Sequence, residues 1–169
     1  MKQFLFLIYL LPLIGLSQTK QNEKLTIDLN SGVYTNFNKW NENGAAVGLE
    51  VSFKRKYIIL SANIQAGFGI SNNITNKDGY IQAFLESDIL LGKELHLSNS
   101  ISIIPQTGLG YLHLTNHFQG DKENLIGLPL QFKILFFTNK DVAFGLVPKA
   151  NFNKVQNNYS LSFTVNFKS

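Results

Sequence analysis

Cysteine is absent from this chain of 169 residues, which excludes both a disulfide framework and a lipid-modified amino-terminal Cys. Arginine is almost absent: among 15 basic residues Arg55 stands alone, and the lysines are scattered. The formal net charge of +4 therefore does not gather into the basic face that nucleic-acid binding uses, and no nucleic-acid partner is expected. Long apolar runs are missing too. The run Phe4 to Leu16 is shorter than the roughly 20 residues a spanning helix needs. No later stretch repeats its apolar residues every 3.6 or so positions, so helices are expected to be absent or trivial.

The early run carries a different signal. Lys2 precedes it, and Gly15 and Ser17 stand three and one positions before Gln18. A basic start, a short apolar stretch and small residues at the cleavage point make a secretory signal peptide. The expectation is a signal peptide over residues 1–17 and a single domain over residues 18–169.

What the chain has in place of helices is alternation. In Tyr159, Leu161, Phe163, Val165 and Phe167 every second residue is large and apolar, with Ser160, Ser162, Thr164 and Asn166 between them. A two-residue period belongs to a β-strand with one apolar and one polar face. The pattern recurs over residues 25–29, 45–53, 58–70, 81–91, 101–111, 126–136 and 142–152. Ile59 and Ser87 break it. Pro105 predicts a bulge, because it has no N–H to give the ladder. A tilted strand crosses a bilayer in about 9–11 residues, close to most of these segments. Mean hydropathy near zero fits strands whose two faces cancel. The predicted fold class is all-β: an eight-stranded antiparallel up-and-down transmembrane β-barrel.

The connections fall into two classes. Thr35 to Gly44, Ser71 to Gly79, Thr115 to Asn124 and Asn153 to Asn157 are polar and mostly long. Lys54 to Lys56, Gly92 to Asn99 and Thr138 to Lys140 are mostly short. Outer-membrane barrels show this asymmetry, with long loops outside and tight turns in the periplasm. Volume then decides which face meets lipid. An eight-stranded barrel is only wide enough inside for side chains to fill it, and the Phe, Ile and Leu set would over-fill that space. The opposite set, rich in Gly, Ser, Asn and Gln, fits it. Asp28, Glu50, Glu86 and Asp88 lie on that inner side with Lys133 and Lys149, and buried charges need partners, so a lumenal charge network is expected. Aromatics near strand ends, among them Phe53, Tyr57, Phe68, Tyr80, Tyr111, Phe136, Phe152, Tyr159 and Phe167, suit two interfacial girdles.

With its strand segment Gly108-Leu109-Gly110-Tyr111, and Leu128-Pro129-Leu130 followed by Lys133, the chain resembles the small outer-membrane β-barrel proteins of double-membraned bacteria, the OmpX-like and PorT-like families. It departs from them in carrying Lys168 and Ser169 after Phe167, where an aromatic usually ends the strand. The resemblance implies a monomer in the cell outer membrane, with outer-membrane lipid and the barrel-assembly machinery as partners.

Candidate chemistry is sparse. His96-Leu97-Ser98-Asn99 is similar to the His-x-Ser-Asn segment of outer-membrane lipid A deacylases, which makes His96 and Ser98 weak catalytic candidates with Glu94 the nearest carboxylate. A serine hydrolase needs His within reach of Ser and a third group to orient it, and this segment falls at a predicted periplasmic turn. His113 and His117 share a strand face but lack a third ligand, so no metal is expected. Glu86 and Asp88 read as lumenal ion partners rather than an acid–base pair, and Trp40 as an interfacial residue. No cofactor is expected. The reading is a barrel with a structural or surface-interaction role and no catalysis. A lipid-modifying enzyme and a soluble lipocalin-like carrier are the alternatives.

Overall fold

A computed structural model describes residues 23–36, 42–56, 58–71, 81–116 and 122–169. The predicted signal peptide, Trp40, Tyr57, Tyr80 and His117 lie outside the described residues. Among the described residues every regular element is a strand: β1 Glu23–Asn36, β2 Glu42–Arg55, β3 Ile58–Ser71, β4 Ile81–Lys93, β5 Leu95–His96, β6 Ile101–Asn116, β7 Lys122–Phe136, β8 Val142–Asn153 and β9 Asn158–Lys168. All pairings are antiparallel, and β1 pairs with both β2 and β9, so the sheet closes on itself. The two-residue β5 continues β4, because Leu95↔Ile103 keeps the offset of Gly92↔Gln106. The barrel therefore has eight staves.

The register sets the barrel's shape. A path of opposed residues from Leu25 runs through Phe53, Leu60, Leu91, Thr107, Leu130, Ala150 and Tyr159 and returns to β1 at Thr35. The ends of that circuit, Leu25 and Thr35, are ten residues apart along β1. A stagger of ten over eight staves tilts the strands by roughly 40°. That leaves a lumen wide enough for side chains and little else.

Every residue on that circuit points outward, and the belt it belongs to is apolar. Ile64, Phe68, Ile89, Leu109, Ile126 and Leu161 are all exposed large hydrophobics of this face. Such a continuous apolar surface far exceeds the patches that water tolerates. The chain is therefore a transmembrane barrel, and the soluble carrier, which needs its apolar face inside, is excluded. Ile59 and Ser87 no longer look like errors: Ile59 is buried in the lumen and Ser87 faces out.

Three expectations need correction. The staves run further than the alternation suggested, so half of Thr35 to Gly44 and half of Thr115 to Asn124 is strand. At that end the described strands are bounded by Asn36, Glu42, Ser71, Ile81, Asn116, Lys122, Asn153 and Asn158. Backbone pairing continues there because Tyr34, Leu112 and Leu114 find an apolar interior to enter. Gly92 to Asn99 is likewise half strand, with the chain bending over residues 97–100. Pro105 makes no bulge, since the β6–β7 register is the same at Ile101↔Phe136 and Thr115↔Lys122. It sits instead beside the break between β4 and β5, where its missing N–H costs the sheet least.

The lumen as the candidate functional site

Viewed along its axis the lumen has three layers. At the end that carries residues 37–41, 72–80, 117–121 and 154–157, here the loop end, Tyr34, Ala46, Phe84, Leu112 and Leu114 form an apolar plug. The Tyr34 and Phe84 rings meet edge to face at 4.8 Å. They fit because the wall beside them is bare. A Cβ on Gly69 would come within 2.4 Å of the Tyr34 hydroxyl, and one on Gly67 within 2.3 Å of the Phe84 ring. The connection 154–157 tucks over this plug: Asn153 Oδ1 accepts the N–H groups of Val155 and Gln156, and buried Gln156 accepts from Asn36 Nδ2 at 2.5 Å. At the opposite, turn end, Ile59, Ile104 and Leu135 make a second plug.

Between the plugs lies a charged belt holding all six ionisable residues singled out in the sequence. Lys133, on β7, reaches across the lumen to β1 and β2, with Nζ 2.7 Å from Asp28 Oδ2 and 2.8 Å from Glu50 Oε1. Lys149, on β8, reaches β4, with Nζ 2.5 Å from Asp88 Oδ2 and 3.0 Å from Glu86 Oε1. Each lysine thus bridges two carboxylates, and all six side chains are buried. Amides complete the coordination. Gln131 donates to Glu50 Oε2 at 2.9 Å and to Gln106 Oε1 at 2.8 Å, and Asn166 donates to Asp28 Oδ1 at 2.7 Å. Asn63 donates to Asp88 Oδ2 at 2.9 Å and Asn151 to Glu86 Oε1 at 2.6 Å. Buried charge is tolerated here because most of the carboxylate oxygens receive at least one donor.

The interior apolar residues are what sequence reasoning missed. Leu90, Ile104 and Leu135 each adjoin an outward apolar residue, so the chain shows Leu90-Leu91, Ile103-Ile104 and Ile134-Leu135-Phe136. Those doublets were the available signal.

The weak catalytic candidates do not meet. His96 Nδ1 lies 3.0 Å from Ser102 Oγ and 3.8 Å from Glu94 Oε1, while Ser98 Oγ accepts the N–H of Ser100 at 3.2 Å. Ser102 is fully buried, and both it and Glu94 approach the same imidazole nitrogen, whereas a hydrolytic triad uses both nitrogens. Glu94, between β4 and β5, sits at the turn-end mouth. Burial alone would raise its pKa, but hydrogen bonds from Lys54 and Ser102 hold the carboxyl below the usual range. His113 is engaged on the outer face, with Nδ1 2.6 Å from Asn124 Oδ1, which also accepts from Tyr111. Among the described residues no three His, Cys, Asp or Glu side chains gather into a metal-binding group.

An eight-stave closed sheet with an apolar exterior and an ion-paired, plugged interior defines a small transmembrane β-barrel of the outer-membrane type. Solved structures agree on this fold. Neisserial surface protein A superposes with a TM-score of 0.67 at 8% identity, covering 87% of this chain and 97% of that one. Ail, the attachment invasion locus protein of Yersinia pestis, gives 0.62 at 8% identity over 87% and 98%. A major outer membrane protein of Thermus thermophilus gives 0.60 at 9% over 88% and 100%. No protein-family model matches the sequence, and no curated protein matches it.

Proposed function

We propose that this protein serves the outer membrane as a closed, non-catalytic barrel with a structural or surface-interaction role, meeting its partners through its rims and not through its lumen. The observation that carries this reading is the triple seal: Leu112 and Leu135, at 0% and 2% exposure, bracket a belt in which Lys133 is 2% exposed. Ions crossing such a lumen would have to displace two apolar plugs and break paired charges, whereas open aqueous channels come with about 16–18 strands. The separation of His96 from Ser98 supports the absence of catalysis. Lipid is then its main partner, the barrel-assembly machinery its route to the membrane, and the monomer its working form.

Planar-bilayer recording tests the seal. The purified barrel is expected to give no large, steady channels, and porin-like conductance would overturn the reading. Lipid A from cells expressing the parent chain is expected to match that from cells expressing His96→Ala with Ser98→Ala. Loss of an acyl chain with the parent alone would establish the enzymatic alternative.

A further inference from the structure

The turn-end mouth of the lumen is built unlike the belt above it. There, four carboxylates share two lysines through direct contacts; here, cations outnumber carboxylates. Lys24 and Lys54 stand directly opposite each other on β1 and β2. Lys168 on β9 is paired with Thr26, two residues along β1 from Lys24, and it lies within electrostatic range of Glu94, of both other lysines and of Asp141. Like charges directly opposed on a sheet repel and destabilise it. Among the described residues Glu94 is the one carboxylate lining this mouth, and its short ion pair is with Lys54. Lys168 gives one N–H to the Thr138 carbonyl at 2.5 Å, which satisfies a donor without neutralising the charge.

These groups line a cavity of about 100 Å³, into which Thr26, Ser52, His96 and Asn166 also face. That is about three times the share of volume a water molecule takes in the liquid, the size of one tetrahedral oxyanion. Lys133 also lines the cavity but is held by Asp28 and Glu50. The other three ammonium groups face Glu94, with Asp141 in electrostatic range of Lys168. Positive charge is still in excess, and hydroxyl and amide donors stand beside it. We propose that the turn-end mouth binds a phosphate group, with Lys24 and Lys168 as its principal charge partners and Lys54 shared between phosphate and Glu94. Because staves wall the mouth on every side, a soluble phosphate or phosphate monoester reaches it more readily than the headgroup of a bilayer lipid.

The test uses the folded barrel in maltoside micelles, titrated calorimetrically with inorganic phosphate. Sodium chloride of equal ionic strength serves as the reference. Saturable one-to-one binding is expected, weakened at least tenfold in Lys24→Gln with Lys168→Gln and unchanged in Lys56→Gln, a turn lysine outside the cavity. Heat-modifiable migration of each variant confirms that it folds. No saturable binding by the parent, an effect equalled by chloride, or equal affinity in the double variant would each overturn the proposal. A repeat in phosphatidylcholine nanodiscs doped with phosphatidic acid separates the sources. Undiminished binding of inorganic phosphate supports a soluble ligand, and competition by the doped lipid assigns the same lysines to a headgroup.

Discussion

The two lysine clusters of the charged belt follow one plan and differ in how completely they carry it out. Around Lys133 all four carboxylate oxygens are accounted for: Asp28 takes Lys133 and Asn166, and Glu50 takes Lys133, Ser52 and Gln131. Around Lys149, Asp88 Oδ2 receives both Lys149 and Asn63, but Asp88 Oδ1 is buried without a donor. Asn151 Oδ1 nearby is likewise without one. The Gln131–Gln106–Ser61 chain extends the Lys133 cluster into the wall through bonds of 2.8 and 2.6 Å, and the other cluster has no chain of that length. A surplus negative charge inside a low-dielectric lumen is thus absorbed where donors are dense and left exposed to its own field where they are sparse.

Removing each cation should break this comparison most sharply. Lys133→Met strands two saturated carboxylates in the tighter cluster, and a loss of about 3–5 kcal/mol is expected. Urea unfolding followed by gel migration reads it. Lys149→Met should cost less, about 2 kcal/mol, because its side is more open, 7% exposed against 2% for Lys133, and already tolerates a bare oxygen. Equal losses would mean that the two clusters are energetically equivalent.

Asp88→Asn sharpens the same contrast from the acid side. It removes one surplus negative charge from a carboxylate whose Oδ1 has no donor to lose, so stability should stay within about 1 kcal/mol of the parent or rise. Asp28→Asn, which disturbs a satisfied carboxylate, should be plainly destabilising. A reversed ranking in parallel urea titrations would show that donor density does not govern the belt.

The smallest effect belongs to Glu94 at the mouth. Its carboxyl titrates lower in the folded barrel than in the unfolded chain, so folding leaves it with fewer protons in the acid range. Its contribution is complete above the ordinary value near 4.5 and fades as pH falls through the lower folded value. The parent should therefore lose more stability than Glu94→Gln on acidification below that value, and coincident pH profiles would remove Glu94 from the balance.

Much of the barrel could be read from residue order because a closed sheet obeys a rule with a period of two. Once Leu161 and Phe163 face lipid, Ser162 and Thr164 must face in, and the same logic places Lys133 and Glu50 inside. Which lysine meets which acid was not legible, since Lys133 and Asp28 are 105 positions apart and come together only through the stagger of all eight staves. The plugs were hidden for another reason. Tyr34, Phe84 and Leu112 are inward apolar residues, and alternation registers such residues as noise although they seal the lumen.

The seam between β1 and β9 gives the molecule a temporal asymmetry. Every other seam joins neighbouring staves, as Asn151 meets Asn158, but this one joins Thr26 to Lys168 and is locked by Ser169 donating its N–H to the Leu25 carbonyl at 3.1 Å. Closing so long a stretch of chain costs roughly 2.5 kcal/mol more entropy than closing the short one. Until the last stave arrives, the sheet carries two raw edges able to pair with any extended strand they meet. A chain cut before Asn158 would therefore be an open ribbon searching for a substitute ninth strand. In that state a second copy, or a foreign peptide, could fill the gap that β9 normally closes.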